Sequence, residues 1–257
     1  MGKRRLDVLL VERGLAESPE KARALAMAGA VLAAGRPVLK PGALLDADSP
    51  LEVTPSPPYV GRGGEKLEHA LRAFGLDVRG LVAADIGAST GGFTDCLLQH
   101  GAARVYAVDV GRGQLDYRLR RDARVVVMEG VNVRHLNALP EPVDLATVDV
   151  SFISLRLVLP VVRGLFDARG GARPCAPTAV VLFKPQFEAK KGETPRGGVI
   201  RDPLFQATLI GRFAAWCVGN GFRLRGLTAS PLLGASGNRE FFFHLEPSSS
   251  FLRPPSS

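Results

Sequence analysis

Two lysines and two carboxylates occupy positions where their side chains could carry out acid–base chemistry. Asp149 and Lys184 each end a run of apolar residues that is typical of a buried strand. Lys66 lies in a glycine-rich segment just before the predicted first helix of the larger domain, and Glu240 begins the last predicted strand. Charges at the ends of apolar strands are unfavourable unless they are paired or used. We therefore take Lys66, Asp149, Lys184 and Glu240 as the candidate catalytic set.

Lysine is the informative cation in this chain. Of the 33 Lys and Arg residues only seven are Lys. An Arg guanidinium keeps its proton, whereas a Lys amine can act as a base when burial or a neighbouring cation lowers its pKa. Two lysines with two carboxylates therefore predict a site that activates a hydroxyl as a nucleophile. Taken singly, Lys66 also fits a solvated loop cation, and Glu240 fits an ordinary charge at a strand end.

A glycine-rich segment at residues 85–94, DIGASTGGFT, lies where a predicted strand turns into a helix. Glycines at such a turn let the backbone approach a ligand at the carboxyl end of the strand. The next predicted strand ends in Asp109, and an acid at that position can accept both hydroxyls of a ribose. The segment therefore predicts a site for an adenosine-containing cofactor. The candidate cofactor-binding residues are Asp85, Gly87, Ser89, Thr90, Gly91, Gly92, Phe93, Asp109 and Asp149.

The spacing of these glycines favours S-adenosylmethionine over a dinucleotide. A dinucleotide loop has the pattern Gly-x-Gly-x-x-Gly, and here its second glycine is replaced by Ser89. S-adenosylmethionine has no pyrophosphate and carries a sulfonium cation, so an acid such as Asp85 near the loop suits it. A nicotinamide-dependent oxidoreductase and a glycine-rich turn that only packs a strand on a helix are the alternatives.

Two regions of the chain differ in their patterns. From about residue 64, predicted strands alternate with predicted helices, which indicates βαβ units and a doubly wound α/β sheet. The predicted strands are 81–86, 104–110, 125–129, 143–150, 178–184, 221–229 and 240–245, and the predicted helices are 91–100, 113–121, 155–166 and 203–220. Residues 1–54 instead hold two short helical patterns, around Leu6–Leu10 and Ala22–Ala26, and short predicted strands at 30–32, 37–39 and 51–54.

The sequence Pro-Ser-Pro-Pro at residues 55–58 predicts a stiff linker between these regions. We expect a small domain with its linker at 1–58, a larger domain that holds the candidate catalytic set at 59–246 and a disordered tail, rich in Ser and Pro, at 247–257. The basic N-terminus predicts an amphipathic helix because Asp7, Glu12 and Arg13 interrupt its apolar stretch. No apolar run is long enough to cross a membrane, so a cytoplasmic protein is expected.

The net charge of +8 favours a polyanionic partner and does not distinguish RNA from DNA or an acidic membrane surface. Residues 1–40 contain eight Lys or Arg and four Asp or Glu. Cations in such a region grip the phosphate backbone and position the protein without reading the sequence. They also fit an ordinary solvated helix face. The candidate residues for such contacts are Arg4, Arg5, Lys21, Arg23 and Lys40, and the resemblance described next implies that they are RNA-binding. No metal site is predicted, since the His and Cys residues lack metal-ligand spacing.

From about Lys3 to Leu245 the chain resembles the TlyA family, also called haemolysin A-like. The segments that carry the resemblance are RGGEKL at 62–67, DIGASTGGFT at 85–94, DVSFISL at 149–155, KPQFE at 184–188 and SGNRE at 236–240. The first domain departs from the family at two turns, where it has Ser18-Pro19 and Ala34-Gly35. The catalytic segments show no such departure.

The resemblance implies a small α+β RNA-binding domain of the ribosomal-protein type and a Rossmann-like, FtsJ-like methyltransferase domain. It implies a seven-stranded sheet with an antiparallel last strand, and it places the loop at 197–202 beside the site. The family's Lys-Asp-Lys-Glu tetrad would fall on Lys66, Asp149, Lys184 and Glu240. The implied reaction is 2′-O-methylation of a cytidine in ribosomal RNA, free or in ribosomal subunits, with S-adenosylmethionine as methyl donor.

A mechanistic hypothesis follows from these residues. Lys184 polarises or deprotonates the ribose hydroxyl, and Lys66 lowers the pKa of Lys184. The two carboxylates orient the lysines. Phe152 and Phe187, each near a catalytic candidate, could stack a nucleotide base or could serve the apolar core. A non-catalytic RNA-binding or assembly factor and a pore-forming haemolysin are competing interpretations; no strongly apolar amphipathic segment supports the latter.

Overall fold

Two compact units make up the chain in the computed structural model, residues 1–58 and residues 59–257. The structure describes residues 2–27, 29–54, 58–166, 176–234 and 236–248. The linker expected at 55–57 and the tail expected from 249 lie outside these residues, whereas Pro247 belongs to the last strand. Within the described part, no helix has the length and apolar character needed to span a membrane.

The first unit packs two helices against short strands around a small apolar core, which includes Leu6, Leu10 and Val31. Its elements are β1 (Lys3–Arg5), α1 (Leu6–Glu12), α2 (Pro19–Met27), β2 (Val31–Ala33), β3 (Arg36–Pro37), β4 (Leu44–Asp46) and β5 (Leu51–Val53). Strand β1 pairs with β4, and β2 lies between β3 and β5. The expected strand at 37–39 is wrong beyond Pro37. Strands β1 and β4 were not anticipated because neither has an alternating or continuous apolar pattern.

The structure has a turn at both positions where the first domain departs from the family pattern, Ser18-Pro19 and Ala34-Gly35. Pro19 is the first residue of α2, where its missing N–H leaves no helical hydrogen bond unmade. The hydroxyl of Ser18 accepts a hydrogen bond from the Lys21 backbone N–H at 3.2 Å. Ala34, between β2 and β3, has a φ of 48°, which lies in the left-handed region that L-residues other than Gly and Asn rarely adopt.

The second unit is built on a seven-stranded sheet. Its strands are β6 (Val82–Ile86), β7 (Arg104–Asp109), β8 (Val125–Glu129), β9 (Leu145–Val148), β10 (Thr178–Phe183), β11 (Phe222–Ala229) and β12 (Phe241–Pro247). The strand order is β11-β12-β10-β9-β6-β7-β8. Strand β12 runs antiparallel to both of its neighbours, and the central pairs are parallel. The α/β fold and the antiparallel last strand are therefore confirmed.

Helices cover both faces of this sheet, which is why its central strands are apolar throughout. The helices are α3 (Arg62–Phe74), α4 (Gly92–Gln99), α5 (Tyr117–Arg120), α6 (Leu155–Gly164), α7 (Pro185–Glu188) and α8 (Pro203–Gly219). One apolar cluster lies under α6 and α8 and includes Phe183 and Phe213. The other lies under α3 and α4 and includes Leu67 and Phe242.

Two local predictions for this unit are wrong. Helix α5 is a single turn that begins at Tyr117, not at 113, because Glu129 accepts the backbone N–H groups of Gly113 and Gln114 and holds them outside a helix. Lys66 was expected just before a helix, but it is the fifth residue of α3. Its side chain therefore starts from a rigid element that packs on the sheet.

Candidate active site

The candidate residues meet at the carboxyl edge of the parallel strands. Strand β9 lies between β6 and β10, and its residue Val148 is in register with both Ile86 and Val181. Asp149 therefore follows β9 beside the glycine-rich loop that follows β6, while Lys184 follows β10. Ligands of open α/β sheets bind at this edge.

Lys184 and Asp149 form an ion pair, with 2.6 Å between Nζ and Oδ1. The Lys184 ammonium also donates a hydrogen bond to the Ser151 hydroxyl at 2.8 Å and lies 6.0 Å from the centre of the Phe187 ring. Asp149 Oδ1 has almost no exposed surface, and its contact with the Lys184 ammonium lacks the geometry of a regular hydrogen bond. A nearly buried carboxylate oxygen of this kind is stabilised by the charge of its partner.

Lys66 and Glu240 form a second ion pair, with 2.6 Å between Nζ and Oε2. Their side chains are 10% and 4% exposed, so both charges are removed from bulk water. Lys66 is therefore not a solvated loop cation, and Glu240, directly before β12, is not an ordinary strand-end charge. A buried pair is strongly unfavourable to break because the remaining partner is left as a lone buried charge.

Helix α3, which carries Lys66, packs directly on the start of α4. The crossing is made by glycines: a Cβ at Gly92 would lie 3.0 Å from the Gly64 nitrogen and 3.2 Å from the Gly63 Cα. On its other side Gly64 contacts Tyr59, and a Cβ there would lie 2.1 Å from the Tyr59 ring. The segments RGGEKL and DIGASTGGFT are therefore parts of one packed structure, which sets the position of Lys66 against the cofactor loop.

The loop after β6 has the shape expected of a cofactor site. Gly87 has a φ of 87°, and a Cβ on it would lie 2.3 Å from the Asp149 carbonyl oxygen. Only glycine satisfies both conditions, so the loop and the catalytic edge approach as closely as backbones allow. Ser89 and Thr90 are exposed on the loop, whereas Gly91, Gly92 and Phe93 are buried where α4 begins.

Asp85 has no accessible surface, so the structure places it behind the loop rather than against a ligand. Its carboxylate accepts hydrogen bonds from the hydroxyls of Thr94, at 2.7 Å, and Thr147, at 3.1 Å. Burial raises the pKa of Asp85 to about 7. The sequence-based proposal of a direct contact between this acid and the cationic cofactor is therefore replaced by a supporting role under the loop.

Asp109 lies beside the same loop, at the carboxyl end of β7. Its two oxygens accept the backbone N–H of Ser89, at 2.8 Å, and that of Gly111, at 2.6 Å. Val110, which follows it, is 71% exposed. A carboxylate next to an exposed apolar side chain fits a ribose and an adenine, and a loop without room for side chains fits the rest of S-adenosylmethionine.

Sequence reasoning did not recognise two residues that join the motifs. Glu188, whose side chain is 1% exposed, accepts the Ser154 hydroxyl at 2.8 Å and the Leu155 N–H at 2.6 Å, so it caps α6 and holds the segment after Asp149. Asn238 accepts the Ile200 N–H and donates to the Gly198 carbonyl oxygen, both at 2.9 Å. Glu188 belongs to the segment KPQFE and Asn238 to the segment SGNRE. Their places in these two segments were the sequence signal that could have identified them.

Phe152 lies on the surface next to this edge. It is 91% exposed and has a φ of 63°, an unusual conformation for a bulky residue. Its ring lies 5.2 Å from the half-buried ring of Phe187. The exposure excludes the core role that the sequence left open for Phe152, and strained residues of this kind cluster at ligand sites.

The candidate RNA-binding residues of the first unit divide into two groups. Arg4, Arg5 and Arg23 form ion pairs with acids of the same unit, at 2.6 to 3.1 Å. All three guanidinium side chains remain about half exposed. The pairs of Arg4 and Arg23 are exposed on both sides and weak enough to exchange for a phosphate, whereas the Asp7 partner of Arg5 is buried. Lys21 and Lys40 are exposed and have no ion pair among the described residues.

Comparisons with known proteins agree with this geometry. The family of FtsJ-like methyltransferases matches residues 59–246, and the S4 domain matches residues 4–49. A provisional rRNA methyltransferase of Bacillus subtilis, YqxC, is 48% identical over 250 residues, which are 95% of this chain and 85% of that protein. The 16S/23S rRNA (cytidine-2′-O)-methyltransferase TlyA of Mycobacterium tuberculosis is 45% identical over 94% of this chain and 89% of its own.

A solved structure from Streptococcus thermophilus, provisionally named a hemolysin, is 41% identical and superposes with a TM-score of 0.71. It covers 96% of this chain and 90% of its own. The fold and the site define a methyltransferase that uses S-adenosylmethionine. The chain belongs to the FtsJ-like methyltransferase family and, within it, to the group that contains TlyA. The predicted family, fold class, enzyme class and cofactor are confirmed.

Proposed function

We propose that this enzyme transfers a methyl group to the ribose 2′-hydroxyl of a nucleotide, expected to be cytidine, in ribosomal RNA or an assembled subunit. The supporting observation is the pair of Lys184 and Asp149 at the edge where Gly87 brings the cofactor loop against the Asp149 backbone. The tetrad and the cofactor residues named from the sequence are part of this proposal, with Asp85 in a supporting role under the loop. An enzyme with this substrate would act in the cytoplasm.

In this reaction the protein must hold the ribose hydroxyl in line with the bond from the methyl carbon to sulfur and must accept the hydroxyl proton. S-adenosylmethionine supplies an electrophilic methyl group when bound. The ribose oxygen forms a bond to that carbon as the bond from carbon to sulfur breaks, and the hydroxyl proton must leave. We assign its removal to Lys184, which accepts this proton once its own ammonium proton has passed to the Asp149 carboxylate 2.6 Å away. The Ser151 hydroxyl orients the lysine from 2.8 Å.

The second pair has a supporting part in this proposal. Glu240 holds Lys66 at 2.6 Å in a buried setting, so the Lys66 charge stays at one place on α3. A fixed cation near the reacting oxygen favours loss of its proton. The two carboxylates thus have separate partners, Asp149 with Lys184 and Glu240 with Lys66, and each lysine has one orienting acid.

Exposed groups at the edge suit an RNA substrate. We propose that Phe152 stacks the base of the target nucleotide, because the ribose reaches the methyl donor only when the nucleotide leaves its helix. The S4 domain, with Lys21 and Lys40 exposed, would add phosphate contacts together with Arg4, Arg5 and Arg23.

The test is methyl transfer from radiolabelled S-adenosylmethionine to unmodified 16S rRNA, 23S rRNA and both subunits, followed by mapping of ribose methylation. Label on a 2′-oxygen that disappears with Lys184→Ala, while S-adenosylmethionine still binds, is the expected result. Lys184→Arg should also be inactive, because a guanidinium keeps its proton. Methylation by Lys184→Ala, or transfer to a base, contradicts the proposal.

A further inference from the structure

Unpaired arginines of the second unit lie mostly at the catalytic edge. Among its described residues, most exposed arginines on helices and elsewhere on the sheet have an acidic partner, as in Arg72–Glu68, Arg79–Asp77 and Arg104–Glu141. Within the described residues of this second unit, the structure gives neither an ion pair nor a side-chain hydrogen bond to seven arginines. They are Arg62, Arg112, Arg134, Arg196, Arg201, Arg223 and Arg239.

Six of these seven arginines lie in loops, at a helix start or in the 3-10 turn Val133–His135 on the carboxyl side of the sheet. Arg223, the second residue of β11, lies at the opposite edge. Cations that gather without counter-charges repel one another, so the arrangement is favourable only when a polyanion is bound. The distribution indicates a binding surface rather than a general excess of charge.

Four of them lie on segments that adjoin the buried pair of Lys66 and Glu240, and we call these four the rim: Arg62, Arg196, Arg201 and Arg239. Arg62 stands four residues before Lys66 on α3, so the two share a face of that helix. Arg239 directly precedes Glu240. Arg196 and Arg201 flank the loop segment 197–200, which comes from a distant part of the chain.

Asn238 joins that loop to the pair. Its side chain is 1% exposed and forms hydrogen bonds to the Ile200 N–H and the Gly198 carbonyl oxygen. A second buried hydrogen bond, from Gln206 to the Ile200 carbonyl oxygen at 2.7 Å, holds the same loop from α8. The backbone that carries two arginines of the rim is therefore tied to a residue two positions before Glu240.

We propose that the rim binds the phosphates on either side of the methylated nucleotide, and that Asn238 is the positioning residue that sets the rim around the reacting ribose. The proposal rests on the RNA substrate proposed above and assigns to the methyltransferase unit a phosphate-binding surface of its own. Each phosphate neutralised releases counterions, so the affinity of the rim must fall with salt.

The experiment measures binding of the full-length chain to 16S and 23S rRNA transcribed in vitro, between about 0.05 and 0.2 M salt. For Arg201→Gln combined with Arg239→Gln, we expect the slope of log affinity against log salt to shrink by about 0.7 per arginine. At 0.1 M salt the affinity should fall by about fivefold per arginine. The KM for RNA should rise while kcat at saturating RNA changes little, and S-adenosylhomocysteine should bind as tightly as before.

Arg223→Gln is the matched control, because it removes an equally unpaired arginine from the opposite edge. Its salt slope should equal that of the unchanged protein. Asn238→Ala removes no charge, and it should nevertheless shrink the slope and raise the KM for RNA. A double arginine variant with an unchanged slope, or an equal effect of Arg223→Gln, overturns the proposal. Rim-dependent binding without any methyl transfer would instead contradict the proposed function and leave the rim in place.

Discussion

Lys66 and Glu240 stand 174 positions apart in the chain and form a buried ion pair of 2.6 Å. The pair connects α3 to the first residue before β12, and so it connects the two ends of the catalytic unit at the edge where Lys184 and Asp149 lie. A buried pair contributes less to stability than its distance suggests, because removing two charges from water offsets much of their attraction. Its value here is in holding an ammonium group at one place.

A variant that removes one partner of this pair should be less stable than a variant that removes both partners. Lys66→Met and Glu240→Gln should each lower the free energy of unfolding by about 3 to 5 kcal/mol, because each leaves one buried charge alone. The double variant should recover part of that loss without recovering methyl transfer. Denaturant unfolding and turnover measured on the same three proteins check this, with Glu68→Gln as the control for an exposed pair on α3. Activity retained by the double variant would remove both residues from the catalytic set.

Asp109→Ala should weaken the binding of S-adenosylhomocysteine by about 10- to 100-fold, the equivalent of one or two hydrogen bonds to a charged group. The same change frees the Ser89 and Gly111 N–H groups that the carboxylate accepts, so the loop also loses its support. Calorimetry measures the affinity, and Asp122→Ala, which affects an exposed pair with Arg124, serves as control. Equal affinity for the unchanged protein and Asp109→Ala would disprove the ribose contact.

Substitution of Phe152 should separate stability from RNA recognition. Its side chain is 91% exposed and its φ is 63°, so Phe152→Gly should relieve strain and stabilise the fold by about 1 kcal/mol. The same variant should lose the stacking of a base, which is worth about 1 to 3 kcal/mol, and its kcat/KM for RNA should fall accordingly. Thermal unfolding and methyl transfer measure the two effects. Unchanged kcat/KM in Phe152→Gly and Phe152→Ala would show that no base stacks there.

Asp85 makes stability depend on pH in a direction opposite to most carboxylates. Burial raises its pKa to about 7, against about 3.9 in an unfolded chain, so the folded state favours the protonated form. Its contribution to stability is complete below about pH 4 and is lost as the pH rises towards 7. Asp85→Asn should therefore stabilise the protein above pH 7 relative to the unchanged chain, with a difference that shrinks towards pH 4.

Denaturant unfolding across that pH range tests the Asp85 prediction. Asp77→Asn should instead lower the free energy of unfolding across this range. Arg79 lowers the pKa of Asp77 to about 2, so the stabilisation by this carboxylate is present above its unfolded pKa and is lost as the pH falls towards 2. A stability difference for Asp85→Asn that does not vary between pH 4 and 8 would show that Asp85 does not titrate in this window.

The sequence by itself determined the kind of protein and most of its elements. Short apolar runs rich in β-branched residues and bounded by turn residues favour buried strands, so the strand at 125–129, which ends just before Gly130, was predicted to the residue. The acid-start glycine segment, the acid after the next strand and the shortage of lysine depend on local chemistry alone. They were sufficient to predict a methyl donor and to select the four catalytic candidates.

Only the tertiary structure decided which acid serves which lysine. Lys184 has Asp149 and Lys66 has Glu240, a choice that depends on how α3 crosses α4 and how β12 enters the sheet between β10 and β11. The same packing buries Asp85, which the sequence predicted beside the ligand, because threonines of α4 and β9 donate hydrogen bonds to its carboxylate in the interior. Burial and pairing between distant residues depend on the assembled core. The spacing of residues along the sequence does not fix the distance between side chains on different strands.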